Sequence, residues 1–116
     1  MRFISQLEGT LLDYWVARAQ GWIDKGDGWW GYDAPGTIPN LEQYAWRPSS
    51  NWAQAGEIID RERIGVIPME DESGRHWVAS RSGIPYACRG ETPIQAAMRL
   101  YVGLKFGMLV EEVEGV

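Results

Sequence analysis

Apolar residues recur with helical spacing near the start of the chain. One helical face carries them at positions i, i+3, i+4, i+7 and i+11, namely Leu12, Trp15, Val16, Ala19 and Ile23. Thr10 precedes this run and Asp13 follows three residues later, an arrangement that can cap the first turn. Gly21 can adopt the left-handed conformation that ends many helices. The pattern predicts a helix over about residues 10–20.

The next segment, residues 24–47, shows no sustained period. It is rich in Gly and Pro and carries a group of aromatic residues: Trp29, Trp30, Tyr32, Tyr44 and Trp46. Connections of this length in compact domains are usually functional or mobile. We therefore predict a long, irregular, aromatic connection.

A second helix is predicted over about residues 50–62. Ser49 or Ser50, which follow Pro48, can accept hydrogen bonds from the free backbone N–H groups of its first turn. Its buried face is expected to consist of Trp52, Ala55, Gly56 and Ile59. A glycine costs a helix about 1 kcal/mol relative to alanine, so Gly56 is expected where another element approaches closely.

Two runs of residues with strand character flank a polar turn in the next part of the chain. Residues 64–70 and 75–81 surround the turn 71–74, which predicts a β-hairpin. Pro68 lacks the N–H that a central strand needs, so we expect the first strand at a sheet edge or a bulge. Residues 84–89 can add a third strand.

The third helix has the clearest start signal. Thr92 is a good N-cap, Pro93 suits the first helical position, and Gln95 can complete a capping box. Gly107 is expected to end the helix. Its apolar stripe is Ile94, Ala97, Met98, Tyr101 and Leu104 or Lys105. The acidic tail, residues 108–116, is expected to fray.

These elements predict an α+β fold, in which a small antiparallel sheet packs with about three helices. The length of 116 residues suits a single domain over residues 1–116, with a core but no room for a second one.

Composition excludes several classes of protein. One Cys and one His are too few for an intramolecular disulfide or a Cys/His zinc site, and no metal or other cofactor is expected. No apolar run has the length of a signal peptide core or a membrane span, so we expect a soluble intracellular protein. The net charge of −5 argues against general binding to a nucleic-acid backbone.

Seven Trp and five Tyr, against two Phe, are the unusual feature of the composition. Trp15, Trp52 and Tyr101 fall on helical stripes and are expected in the core. The aromatic residues of segment 24–47 follow no period. They are expected either to form the wall of a ligand site or interface, or to fold back over the core, and the pattern does not decide between the two.

Nine of the eleven basic residues are Arg. A guanidinium group binds phosphate in a bidentate manner and stacks on aromatic rings, although pairing with the acidic excess is the open alternative. The candidate ligand-binding residues are therefore Trp29, Trp30, Tyr32, Tyr44, Trp46, Arg47, Arg75, Trp77 and Arg99.

His76 is the one obvious general base. Catalysis by His76 would need Ser80, Ser82 or Cys88 within hydrogen-bond reach, which the spacing does not indicate. The glycine-rich run 26–31 lacks the Gly-Lys-Ser/Thr of a phosphate-binding P-loop. We expect a protein that is not an enzyme and has no catalytic residues, with a hydrolase centred on His76 as the enzymatic alternative.

Three segments carry a family resemblance: LDYWVARAQG at 12–21, RPSSNWAQAGEII at 47–59 and GETPIQAAMR at 90–99. Together they resemble the NinX-like proteins of tailed bacteriophages and prophages, and more loosely the phage ABA-sandwich domains. The most specific pieces are Pro-Ser-x-x-Trp and Thr-Pro-x-x-Ala-Ala-Met-Arg. The resemblance implies a phage accessory protein, located in the cytoplasm of the infected bacterium, whose helices pack on an antiparallel sheet. It implies no catalytic residues.

The resemblance also implies a genetic setting of small, dispensable phage genes, where proteins that blunt host defences are common. We expect a non-enzymatic counter-defence protein that sequesters a nucleotide-derived immune signal, with aromatic rings on the base and Arg on the phosphates. The alternative is an inhibitor whose acidic surface and aromatic anchors bind a host defence protein or nucleic-acid-binding protein. A homodimer is a further expectation, because small binding proteins often form pockets between subunits.

Overall fold

The computed structural model describes residues 1–37 and 41–115. Within these ranges the helices are α1 (Gly9–Ala19), α2 (Trp52–Glu62) and α3 (Pro93–Phe106). The strands are β1 (Arg2–Phe3), β2 (Trp22–Gly26), β3 (Trp29–Tyr32), β4 (Leu41–Glu42), β5 (Gly65–Asp71), β6 (Gly74–Ser80), β7 (Cys88–Gly90) and β8 (Leu109–Val110). They pair antiparallel as β1–β8, β2–β3–β4 and β5–β6–β7. The predicted α+β class is confirmed, with three small sheets in place of one.

Helix α3 is the central element of the core. It contacts α1, α2 and the β5–β6–β7 sheet, and most of its surface is buried: Ile94, Ala96, Ala97, Met98, Leu100, Tyr101, Val102 and Gly103. Its predicted start is confirmed, since Thr92 accepts a hydrogen bond from the Gln95 N–H at 3.1 Å and Pro93 occupies the first turn. The Gln95 side chain accepts from the N–H of Glu91 and not of Thr92, so the predicted capping box is displaced by one residue. Gly107 ends the helix with a φ of +85°.

Helix α1 buries the predicted face, including Leu12, Trp15 and Val16. The prediction that Thr10 caps it is wrong, because the helix begins at Gly9 and its N-cap is Glu8, whose side chain makes no capping hydrogen bond. Early entry is possible because Gly9 adopts a φ of +55°, which redirects the chain into the first turn.

The prediction of an irregular connection over residues 24–47 is wrong where this segment forms β2, β3 and β4. Residues 38–40 of the segment lie outside the described residues. Strands β2 and β3 form a hairpin around Asp27 and Gly28, whose φ angles are +54° and +82°. Two consecutive positive φ values match the twist of antiparallel strands, and Asp-Gly is a favoured pair for such a turn. The many glycines therefore shape a hairpin and do not interrupt regular structure, and β4 extends the sheet beside β3.

Helix α2 begins later than predicted and turns a different face inward. Asn51, and neither Ser49 nor Ser50, caps it by accepting from the Gln54 N–H at 3.2 Å. Its buried residues are Ala55 and Ile58. Trp52 is the first helical residue and is 55% exposed, so its predicted place in the core is wrong.

The predicted close approach at Gly56 is also wrong, because a Cβ added there would contact nothing within 4 Å. A close approach occurs instead at Gly90 in β7, where an added Cβ would lie 2.4 Å from the backbone N of Ala96 in α3. This glycine allows the sheet to pack directly on the helix backbone.

The predicted hairpin is confirmed as β5 and β6, and β5, which contains Pro68, is an edge strand of its sheet. The third strand is the shorter Cys88–Gly90. The tail is partly ordered, because Leu109–Val110 pairs with Arg2–Phe3 and Arg2 lies 3.2 Å from Glu112. Of the helices in the described ranges, none has both the length and the apolar character needed to cross a bilayer.

Candidate functional site

The structure places the nine predicted ligand-binding residues in separate regions. Four of them, Trp30, Tyr44, Trp46 and Arg47, line one cavity of about 290 Å³, which we name the aromatic pocket; its other lining residues are Thr10, Asp13, Tyr14, Gln43 and Gly115. Three others, Arg75, Trp77 and Arg99, lie around β6 and α3.

The remaining two predicted residues line neither region. Tyr32 is 53% exposed and borders a different groove, which it shares with Gln20 and Arg61. Trp29 pairs with Glu42 across the β3–β4 ladder.

One wall of the aromatic pocket is the segment between β4 and α2, and three hydrogen bonds hold it in place. Gln54 accepts from the backbone N–H of Arg47 and donates to the carbonyl of Ala45, both at 2.7 Å. The carboxylate of Asp13 accepts from the backbone N–H of Ser49, also at 2.7 Å. These bonds connect the segment to α1 and α2, and such a connection reduces the entropy cost of ordering the segment when a ligand binds.

The aromatic rings of the pocket have two different roles. Trp46 is 7% exposed, packs edge-on against Trp22 with ring centroids 4.7 Å apart, and donates its indole N–H to the carbonyl of Asp13 at 3.0 Å. Trp30 is buried and lies 5.5 Å from the ring of Tyr14. Tyr44, by contrast, is 69% exposed and offers its ring to a ligand. Core packing therefore accounts for the two tryptophans, and the pocket leaves a free stacking surface at Tyr44.

Asp13, which the sequence predicts only as a capping residue of the first helix, also lines the aromatic pocket. Its side chain is buried at 5% exposure. Burial raises the pKa of this carboxyl, while the hydrogen bonds from Ser49 and the nearby charge of Arg47 oppose the rise. The sequence does contain a signal for the burial of Asp13. This acidic residue lies in a helix beside Leu12 and close to Trp15 and Val16, all of which are buried. A buried carboxylate at a pocket wall can accept hydrogen bonds from N–H groups of a ligand.

The second region is polar and basic. A cavity of about 450 Å³, which we name the arginine cavity, is lined by Ser5, Ser73, Arg75, His76, Arg89, Gly90, Glu91 and Arg99. Arg99 donates to the carbonyls of Leu7 at 2.8 Å and Arg89 at 2.9 Å. Arg89 donates to the hydroxyl of Ser73 at 2.6 Å. The two guanidinium groups are thus fixed by neutral oxygens.

A neighbouring cleft of about 540 Å³ shares Arg75, His76 and Glu91 with the arginine cavity and adds Trp77 to its wall. The structure therefore does bring Arg75, Trp77 and Arg99 to adjoining spaces, apart from the aromatic pocket.

His76 is buried in β6 and lies near Gly74 of the same strand and Asp71 at the end of β5. Its Nδ1 lies 3.3 Å from the carbonyl of Gly74, and its Nε2 lies 3.9 Å from the carboxylate of Asp71. Cys88 pairs with Ala79 and so lies on the opposite face of the sheet from His76. Burial raises the pKa of the Cys88 thiol to about 11. His76 and Cys88 therefore do not form a nucleophile and base pair.

The arginines divide by their partners. Arg2, Arg61, Arg63, Arg75 and Arg81 each pair with a carboxylate. In residues 1–37 and 41–115, no ion pair is formed by Arg47, Arg89 or Arg99. Ion pairing with the acidic excess thus accounts for some arginines, including Arg75 at the arginine cavity. Arg47, Arg89 and Arg99, which also line the two cavities, have no ion-pair partner within the described ranges. The same part of the chain holds no group of three or more His, Cys, Asp and Glu side chains suited to a metal ion.

Comparison with known proteins gives one family. Residues 3–105 match the model of the family described as Bacteriophage P22, NinX. A search of curated proteins gives no match.

Proposed function

The chain belongs to the phage P22 NinX family, and from this premise we propose that this phage accessory protein sequesters a small nucleotide-derived ligand in its aromatic pocket. Removal of a nucleotide signal would protect the phage from a host defence that depends on that signal. The observation that carries the proposal is that an exposed ring, a buried carboxylate and an arginine surround one cavity, and that this arginine forms no ion pair with residues 1–37 or 41–115.

Tyr44 supplies the stacking surface. Its exposed ring stands at the rim of a cavity whose inner walls are the buried rings of Trp30 and Trp46. A base stacked on an aromatic side chain gains about 1–3 kcal/mol, and the gain depends little on which base is bound.

Arg47 supplies the positive charge for a phosphate group. Its backbone is held by Gln54, and its side chain makes no ion pair in the described part of the chain. A guanidinium group without a carboxylate partner can form charge-assisted hydrogen bonds to phosphate oxygens.

Asp13 supplies selectivity for the base. One of its oxygens accepts from the Ser49 N–H, and its carboxylate borders the cavity. Acceptance of further hydrogen bonds favours a base with ring or amino N–H groups, and the negative charge disfavours placing phosphate at this end of the pocket.

The alternative function, inhibition of a host defence or nucleic-acid-binding protein by direct binding, is supported by one observation. The indole of Trp52 is 55% exposed at the start of α2. Exposed tryptophans often anchor protein interfaces.

The test is a thermal-shift and calorimetric titration of the full chain with cyclic nucleotides, cyclic dinucleotides and ADP-ribose derivatives. We expect a nucleotide to stabilise the fold, by about 2.7 kcal/mol at a hundredfold excess over Kd. Tyr44→Ala should weaken binding about tenfold, because it removes the stacking surface. Tyr32→Ala is the matched control, since Tyr32 is similarly exposed but lines another groove.

Two outcomes would overturn the proposal. One is that no nucleotide shifts the unfolding transition at millimolar concentration. The other is that Tyr44→Ala and Tyr32→Ala weaken binding equally. If a host protein is captured by the wild type and lost with Trp52→Ala, the alternative function replaces the proposed one.

A further inference from the structure

We propose that the arginine cavity is a second ligand site, separate from the aromatic pocket, and that it binds the phosphate monoester or diphosphate group of a small molecule. Three guanidinium groups and two hydroxyls from different elements line this one cavity. Its volume of about 450 Å³ lies in the range of small-molecule sites.

The charge balance of the cavity favours an anion. Arg75, Arg89 and Arg99 face it together with a single carboxylate, Glu91, although the chain as a whole carries a net charge of −5. Arg75 has a partner in Glu70, but the distance is 3.7 Å and both side chains are largely exposed. An exposed pair of this kind contributes little to stability, so an anionic ligand can displace it.

The geometry of Arg99 is the strongest argument. This side chain is half-buried, and carbonyl oxygens of Leu7 and Arg89 accept two of its N–H groups. These bonds fix the plane of the guanidinium group without neutralising its charge. The carboxylates of Glu8 and Glu91 offset part of the cost of burying this positive charge, and an anionic ligand that shares the site would offset more of it.

Arg89 is held in a similar way. It donates to the Ser73 hydroxyl, and that hydroxyl in turn donates to the Asp71 carboxylate. Asp71 therefore orients the chain of hydrogen bonds through Ser73 while making no ion pair with Arg89. Two prepositioned guanidinium groups on adjoining elements reduce the entropy cost of binding a tetrahedral oxyanion.

The surroundings favour a small molecule over a nucleic-acid strand. The end of β5 and the turn after it carry the carboxylates of Glu70, Asp71 and Glu72 beside the cavity, and Glu91 lines the cavity itself. At physiological salt, charges within about 8–10 Å still interact, so a long polyanion that extends past the cavity meets repulsion. The rest of a small ligand can extend into the adjoining cleft, where Trp77 forms part of the wall.

The test is calorimetric titration of the full chain with inorganic pyrophosphate. We expect Kd in the micromolar to millimolar range that weakens as NaCl is raised. Arg75→Gln should weaken binding about tenfold or more, because it removes charge-assisted hydrogen bonds. Arg63→Gln is the matched control: it makes the same charge change at a side chain that faces neither cavity. Arg89→Gln is a second variant at the site.

The sites are distinguished by a cross-test. Tyr44→Ala should leave pyrophosphate affinity unchanged. The proposal for the arginine cavity can therefore fail while the nucleotide proposal stands, and the nucleotide proposal can fail while this one stands. The proposal is overturned if pyrophosphate does not bind at millimolar concentration, or if the variants at Arg75 and Arg63 bind it equally. It is also overturned if a single-stranded oligonucleotide binds more tightly than pyrophosphate and loses binding with Arg75→Gln.

Discussion

The two three-stranded sheets fill the interior in opposite ways. The β2–β3–β4 sheet contributes bulky side chains, with Trp22 and Trp30 buried and Trp22 packed on Trp46. The β5–β6–β7 sheet presents small residues to α3, including Ala79 and Gly90, and so lies directly on the helix backbone.

This difference explains why one sheet borders an aromatic pocket and the other an arginine cavity. Large aromatic rings fill the space beside the β2–β3–β4 sheet, so a cavity that remains there is lined by aromatic rings. Where a strand touches a helix backbone, long side chains are displaced to the rim and can reach carbonyl oxygens there, as Arg99 reaches that of Arg89. Packing distance thus decides which chemistry each surface offers.

The pKa values of the carboxylates beside the two cavities are shifted in opposite directions. Burial raises the pKa of Asp13 beside the aromatic pocket. Hydrogen bonds from Ser73 lower the pKa of Asp71 beside the arginine cavity, with smaller contributions from His76 and Arg89. Desolvation dominates in the first region and hydrogen bonding in the second.

The largest expected effect is a loss of stability on the aromatic side of the molecule. Trp46→Ala should lower the free energy of unfolding by about 3–5 kcal/mol, because it removes a buried ring and its hydrogen bond to Asp13. Trp52→Ala makes the same change at an exposed site and should cost less than about 1 kcal/mol. Urea unfolding measures both. Equal losses would contradict the assignment of Trp46 to the core and Trp52 to the surface.

A smaller effect is expected at the close contact of the second sheet. Gly90→Ala places a Cβ against the backbone of Ala96, at 2.4 Å from its N and 2.8 Å from its Cα. Overpacking against a backbone should cost about 1–3 kcal/mol. Gly56→Ala is the matched control and should stabilise the protein by about 0.5–1 kcal/mol, because the added methyl meets open space in a helix. A tolerated alanine at Gly90, measured by thermal and urea unfolding, would show that this sheet does not depend on contact with the α3 backbone.

The smallest effect concerns pH and is tested by Asp13→Asn. Because the pKa of Asp13 is raised in the folded state, the stability that it contributes is present below its ordinary value of 3.8 and is lost as the pH rises through the raised pKa. The difference in unfolding free energy, wild type minus variant, should therefore fall across that window. Urea unfolding at a series of pH values measures it.

Asp71→Asn supplies the opposite slope as a control. The pKa of Asp71 is lowered, so its contribution is present above 3.8 and is lost as the pH falls through the lowered pKa. If both variants show the same dependence on pH, the contrast between the two carboxylates is wrong.

Elements with strong local signals could be predicted from the sequence. The start of α3 follows from Thr92 and Pro93, and its end follows from Gly107. The β5–β6 hairpin follows from two strand-like runs around a polar turn, and the edge position of β5 follows from Pro68. The β2–β3 hairpin was also encoded locally, by Asp27 and Gly28, although the glycine content of the segment obscured it.

The candidate sites were less predictable. Four aromatic and basic residues of segment 24–47 do meet at one pocket, but the pocket also needs Asp13 and Tyr14 from α1. No periodicity within segment 24–47 indicates that α1 supplies these residues. The arginine cavity needs Arg89 and Ser73 beside Arg75 and Arg99, and these come from separate turns, strands and helices.

The two ends of α3, the β5–β6 hairpin and the family follow from the sequence, because each depends on residues that are neighbours along the chain. The packing of the chain was needed to show that Trp46 is buried, that Trp52 is exposed and that Asp13 is desolvated. It was also needed to show which arginines form an ion pair within the described residues. This is because the burial and the electrostatic environment of a residue are not properties of that residue type. They depend on which elements pack on that residue and at what distance.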